Sequence, residues 1–313
     1  DKILFFRMGD FYEMFGEDAE KAAPVLGIAL TSRAHGKSER VPLAGVPYHQ
    51  AEKYLAKLLD AGFKVVICEQ TEDPKKAKGL VRREAVEVVT PGTSLFERGE
   101  KSSDNFLAGV VFNKEKVGFA RLDLSTGEFL IGEADEAGWS ETFLSLEPTE
   151  VVFPESQKET ITRFPELSSG RTLSPVEDWK FDFGWAQKNL SEKLGTLNLS
   201  GFGVEDKKLA VSAAGGVLSY LSENQLQRLE HLRVIRPLSD SDETSLDFST
   251  LLHLEIFRTP SGDKTNTLFA HLDRTATAQG SRRLARWLRP PLTNPEKINE
   301  RLNRVEVLVK DHL

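Results

Sequence analysis

Apolar and polar positions follow two rhythms along this 313-residue chain. In the first hundred residues the short apolar runs ILFFRM (3–8), FKVVICEQ (63–70) and EAVEVVTPGT (84–93) read as strands, the last closed by Pro91-Gly92. Between them Gly9-Asp10 is a turn, and FYEMFGEDAEKAAPVL (11–26) reads as a helix that Pro24 limits near its end. Residues 50–61 place Ala51, Tyr54, Leu55, Leu58 and Leu59 on one helical face, and Gly62 supplies the C-cap. Strand, helix and strand in this order predict a largely covered sheet.

The rhythm changes after RGEKSSDN (98–105), a polar and turn-rich stretch expected to be a linker. FLAGVVF (106–112), VGFARLDL (117–124) and EFLIGEA (128–134) are separated by NKEK and STG, which predicts antiparallel hairpins. TEVVFPE and RTLSPV follow as strands between helical stretches, and KKLAVSAAGGVLSYLSEN (207–224) reads as a long closing helix. Three antiparallel strands followed by α/β alternation is the ribonuclease H-like order. From residue 225 onward SLDFSTLLHLEIF, GSRRLARWLRPP and NPEKINERLNRVEVLVKDHL each carry an apolar stripe, the last starting at Asn294 as N-cap and Pro295 at N1. The expected fold is therefore multidomain α/β: a mixed α/β domain at 1–97, a linker at 98–105, a ribonuclease H-like domain at 106–224, and the beginning of an all-α domain at 225–313.

Composition narrows the class. With 39% hydrophobic and 28% charged residues the chain reads as a soluble globular protein, and no apolar run approaches the ~18 residues of a membrane span. It opens on Asp1 at the edge of a strand, so a trimmed start is expected. The single cysteine, Cys68, lies inside an apolar run and fits a reducing cytoplasm. The net charge of −7 argues against binding nucleic acid by bulk electrostatics. Lys+Arg against Asp+Glu stands at 14 against 15 over residues 1–97, 13 against 21 over 98–224, and 14 against 12 over 225–313, so the middle is acidic and the end slightly basic.

GDFYEMF (9–15) has two readings. In the first, Asp10 and Glu13 form a capping pair, and Phe11, Phe15 and Ala19 share an inward helical face. In the second, Phe11 is an exposed wedge that stacks on a base, with Glu13 as a neighbouring hydrogen-bonding group; such wedges unstack a base step and kink the duplex. Periodicity leaves both open.

TSRAHGKS (31–38) falls one residue short of a phosphate loop, having Thr31 where the first glycine belongs, and Pro42 prevents a helix after Lys37. It reads as a basic loop whose Arg33, Lys37 and Arg40 either touch DNA phosphates or are solvated. Asp123 and Glu128, with Asp104 as a third candidate, resemble the magnesium carboxylates of ribonuclease H-like nucleases, although such sites need several convergent carboxylates. A hairpin with solvated acids is the simpler reading. In GSRRLARWLRPP, Leu284, Trp287 and Leu288 form the apolar stripe, and the arginines read either as phosphate contacts or simply as the wet face. The histidines show no metal-ligand spacing, and no catalytic constellation is visible.

GDFYEMF, ICEQ, LVRREAVEVVTPGT, GFGVED and GSRRLARWL, in matching order and separation over essentially the whole chain, resemble the bacterial MutS family of DNA mismatch-repair proteins. The family's Phe-X-Glu motif matches Phe11-Tyr12-Glu13 without substitution. The resemblance implies that Phe11 stacks on a mismatched base from the minor groove while Glu13 hydrogen-bonds it, with Met8, Arg33, Lys37 and Arg40 as candidate backbone contacts. A neutral Glu13 acid, protonated on binding, would avoid repulsion from the duplex. The resemblance further implies an N-terminal fragment that binds and is not itself an enzyme, with a non-catalytic second domain serving as connector. It needs no cofactor in this chain, ATP and magnesium belonging to an ATPase domain beyond Leu313. Partners implied are double-stranded DNA with mismatches or small insertion loops, a second copy when full length, and a MutL-type repair protein, with no membrane. On charge alone the fragment is expected to bind duplex weakly. A metal-dependent nuclease and a protein-interaction platform are the alternatives.

Overall fold

The computed structural model describes residues 2–35, 39–72, 81–94, 105–224, 232–238, 246, 248–289 and 291–310. Lys37, Asp104 and all of the expected linker except Asn105 lie outside these residues. Two six-stranded sheets organise the chain.

The first sheet contains β1 (Lys2–Met8), β2 (Phe11–Phe15), β3 (Thr31–His35), β4 (Glu39–Pro47), β5 (Lys64–Gln70) and β6 (Arg83–Val89), in the order β3-β4-β2-β1-β5-β6. Helices α1 (Gly16–Leu26) and α2 (Ala51–Asp60) lie on one face. There Ala19, Ala22, Ala23, Leu26, Leu55, Leu58 and Leu59 pack on Ile3, Phe5, Tyr12, Met14, Val46 and Val65. Gly62, at φ +83°, ends α2 as expected: its N–H bonds to Leu59 O at 3.0 Å and that of Phe63 to Leu58 O at 3.0 Å. No described helix covers the other face.

The sheet is thus not the largely covered one expected from strand-helix-strand order, since the described helices pack on one face, and two further expectations fail in it. Residues 11–15 are strand, not the first turns of a helix, so the Asp10–Glu13 capping pair does not form and α1 begins at Gly16. The i and i+4 positions share a face in a strand as well as in a helix, so Phe11 and Phe15 could not separate the two periods. The deciding signal was Tyr12 and Met14, which are buried between partly exposed neighbours with period two. Likewise residues 31–35 are not a loop but β3, paired antiparallel with β4 from Thr31↔Leu43 to His35↔Glu39.

The second sheet contains β7 (Phe106–Phe112), β8 (Lys116–Asp123), β9 (Glu128–Asp135), β10 (Glu150–Pro154), β11 (Thr172–Val176) and β12 (Ile235–Pro237). Its order is β11-β10-β7-β8-β9-β12. The antiparallel β7-β8-β9 meander is extended by β10 and β11 running parallel, which is the ribonuclease H-like arrangement. Both faces are covered. On one side lie α3 (Trp139–Leu146), α4 (Lys158–Thr162) and α5 (Pro165–Ser168); on the other lie α6 (Phe183–Leu194) and α7 (Lys208–Glu223). Helix α7 lies so close that a Cβ at Gly118 would sit 2.2 Å from the Leu209 carbonyl carbon, and one at Gly109 2.5 Å from Ala213 O. Residues 235–237, expected among the helices, instead pair parallel with β9; three residues are too few to show a period.

Helices α8 (Phe248–His253), α9 (Leu268–Leu272), α10 (Ala278–Leu288) and α11 (Pro295–Lys310) complete the chain. Asn294 caps α11 as expected, its Oδ1 accepting from Glu296 N at 2.9 Å. Among the described residues no helix is long and apolar enough to cross a membrane.

Candidate nucleic-acid interface

The β1–β2 hairpin is built by Gly9, whose φ of +58° turns the chain, and by the register Met8↔Phe11, Arg7↔Tyr12, Phe6↔Glu13. Alternation then sends Phe11, Glu13 and Phe15 to the uncovered face and Tyr12 and Met14 to the core. Phe11 is 48% exposed, beside Met8 on one strand and Pro47 on the other. Opposite Glu13 stands Gly45, so at that one position β4 sets no side chain beside it. The Glu13 Oε2 atom is shielded from solvent and has no hydrogen-bond partner among the described residues.

Behind the hairpin a polar cluster fixes its tip. The Tyr12 ring stacks on Phe5 with centroids 5.6 Å apart, and its hydroxyl donates to Glu69. Burial, reinforced by Glu69, pushes that hydroxyl up to about 12, so it remains a donor at neutral pH. The Arg7 guanidinium lies 3.7 Å from the Tyr48 ring centroid and 3.8 Å from Glu69 Oε2, while Tyr48 N donates to Asp10 O at 3.0 Å. Arg83 Nε donates to Arg7 O at 2.7 Å and its guanidinium lies over Phe6. Sequence spacing gave no hint of this cluster, because Arg7, Tyr48 and Glu69 come from three segments. Only the aromatic and basic residues near one turn could have suggested it.

Phe6 and Phe15 meet edge to face at 6.3 Å, so aromatic surface continues from Phe11 along the open side. Strand pairing also places Arg33 on this side, since Thr31 is opposite Leu43 and Leu43 opposite Phe15. Arg40, opposite Ala34, falls on the other side; both arginines are exposed. Of the basic candidates, pairing thus brings Arg33 to Phe11's face and takes Arg40 away from it.

The chain matches the family models MutS domain I over residues 1–98, MutS domain II over 105–233 and MutS domain III over 249–313. The chain belongs to the MutS family. It is 41% identical over 322 residues to the DNA mismatch repair protein MutS of Halothermothrix orenii, a match that covers 100% of the chain and 35% of that relative. It is 44% identical over 317 residues to that of Symbiobacterium thermophilum, covering 99% of the chain and 36% of the relative. The protein of Thermodesulfovibrio yellowstonii is 40% identical over 313 residues, with 100% and 36% covered. The chain therefore spans about a third of the length of these MutS relatives.

Within the region matching MutS domain II, Asp123 and Glu128 face each other across the β8–β9 turn, but neither is a freely solvated acid. Asp123 is 3% exposed; its Oδ1 accepts from Ser125 N at 2.9 Å and Ser125 Oγ at 2.6 Å, and Arg286 Nη2 bonds Oδ2 at 2.8 Å. Burial alone would raise this carboxyl, yet the hydrogen bonds from Ser125 and Thr126 and the Arg286 charge outweigh it and hold the group below the usual aspartate range. Glu128 is paired with Arg121 at 3.3 Å and Arg286 at 3.4 Å. Among the described residues no three His, Cys, Asp or Glu converge as metal ligands.

The arginines of GSRRLARWLRPP are correspondingly more than a wet face. Arg286 joins α10 to the β8–β9 turn, and Arg289 reaches Glu147, just beyond α3, at 2.8 Å. They seam the part matching MutS domain III onto the part matching domain II.

Proposed function

We propose that this chain reads mismatches in DNA repair, with Phe11 entering the duplex from the minor groove and Glu13 hydrogen-bonding the mispaired base. The observation that carries the reading is the Phe11 ring, half exposed at the end of a braced hairpin on the uncovered face of its sheet. A ring held this way stacks on any base for ~1–3 kcal/mol, so stacking alone does not discriminate. Discrimination comes from deformation: a mismatched or unpaired base is already poorly stacked, and kinking there costs less than at a Watson-Crick step. Glu13, on the same face as Phe11, acts in this reading as a neutral acid, protonated on binding, that donates to a base acceptor. Met8 and Arg33, on the same side, contact the backbone, and Lys37 and Arg40 are further candidate contacts.

In this reading the second sheet is a non-catalytic connector, and this part of the protein acts by binding. ATP and magnesium serve a separate ATPase domain, a second copy and a MutL-type partner complete the assembly, and the protein works in the cytoplasm. The test is fluorescence anisotropy of the full-length protein on otherwise identical mismatched and matched duplexes. Phe11→Ala is expected to weaken mismatch binding by roughly 5- to 150-fold, the stacking energy converted to affinity, with matched binding little changed. An unaltered mismatch preference would overturn the reading.

A further inference from the structure

The first sheet must be held at a fixed attitude for Phe11 to meet a duplex in one way, and one buried carboxylate stands at the seam where that attitude is set. Glu150, the first residue of β10, is fully buried. Its two oxygens between them meet both units. Oε2 accepts from Thr90 Oγ1 at 2.5 Å and from Gly92 N at 2.8 Å, both in the turn that follows β6. Oε1 accepts from Ser174 Oγ at 2.5 Å and Tyr220 Oη at 2.6 Å, from β11 and α7. Lys64, at the start of β5, adds its Nζ 3.7 Å from Oε1 and donates to Ser174 Oγ at 2.8 Å.

Gly92 makes the approach possible, since a Cβ there would lie 2.7 Å from the Glu150 Cβ and 2.9 Å from Leu107 Cδ1. Burial, then Glu150 itself, push the Tyr220 hydroxyl up, so it donates across the neutral range. Only a carboxylate accepts on both oxygens; an amide in the same place would turn an NH₂ toward donors on one side. From this seam the sheet runs from β6 to β5, with one register shift between Ile67 and Cys68, and on through β1 to β2, where Phe11 sits.

We propose that Glu150 is a positioning residue for mismatch reading: it clasps the first sheet to the second and so fixes the direction in which Phe11 is presented. The proposal rests on the reading of Phe11 given above. Thr90→Val removes one donor without changing shape, and Thr90→Ser restores it. Both are compared with wild type in the full-length protein, in a Cys68→Ala background spin-labelled at Glu20→Cys on α1 and Lys188→Cys on α6. Pulsed electron paramagnetic resonance gives the distance distribution between the two units, and anisotropy gives the ratio of mismatched to matched affinity.

Thr90→Val is expected to broaden the distribution and lower the ratio by roughly 2- to 30-fold, the usual range for residues that couple distant sites, with Thr90→Ser matching wild type on both. Glu150→Gln should do the same where it folds, as judged by circular dichroism. An unchanged distribution in Thr90→Val, or a broadened one with an unchanged ratio, would overturn the clasp while leaving the Phe11 reading intact. A wild-type ratio insensitive to Phe11→Ala identifies failure of that underlying reading instead.

Discussion

The sheet of residues 106–237 is packed by helices on both faces, whereas the sheet of residues 2–89 has described helices on one face only. The two have six strands each, yet their aromatic residues meet different fates. Phe106, Phe119, Phe129 and Phe153 are no more than 4% exposed, while Phe11 is 48% exposed and Phe6 and Phe15 are half-buried beside it. In a monomeric domain a run of uncovered aromatics forfeits burial energy and marks a surface that meets something else. Among the described residues, one sheet is packed on both faces and the other carries helices on one face only.

The sharpest way to break this comparison is to remove an aromatic from the covered side. Trp139 is fully buried against Phe112, Phe119 and Phe143, so Trp139→Ala should lower unfolding stability by ~3–5 kcal/mol in a denaturant titration. A loss under about 1 kcal/mol would mean that this face is not a packed core.

A smaller effect is expected at the seam between the second sheet and α10. The Asp123 carboxyl is held below its ordinary value in the folded chain, so the unfolded chain binds the proton first as pH falls. The Asp123–Arg286 contribution is therefore complete above the unfolded aspartate value of about 3.9 and is lost as pH drops through the lower folded value. The difference in thermal midpoint between wild type and Arg286→Met should stay constant from about pH 5 to 8 and shrink below about pH 4. A difference that grows on acidification would contradict the pairing.

The smallest expected effect is at Glu13. Glu13→Gln keeps a neutral donor and should hold mismatch affinity within about tenfold, whereas Glu13→Ala should lose the bond. Equal weakening by Gln and Ala at every mismatch would end the neutral-donor idea.

How much of this was visible in the chain follows from the same contrast. The strands of the covered sheet are near-continuous apolar runs, such as FLAGVVF with every residue buried, and their meander was legible together with the α11 cap at Asn294. Strand β2 was misread because Phe11 and Phe15 fit a helix as well as a strand, and the hairpin that presents Phe11 came out only from pairing. Phe11 and Glu13 became candidates through a motif resemblance, since periodicity left their two readings open. The seams were invisible for a plainer reason: Arg286 and Asp123 are 163 residues apart, and Glu150 gathers partners from β5, the turn after β6, β11 and α7. No local pattern encodes such convergence.

The most direct measurement pairs stability with recognition in one variant. Phe11→Ala, compared with wild type by thermal unfolding and by anisotropy on mismatched and matched duplexes, should leave stability within about 0.5 kcal/mol while most of the mismatch preference disappears. A fall in stability of 3 kcal/mol or so with the preference retained would make Phe11 an ordinary core residue and contradict the proposed role as reader.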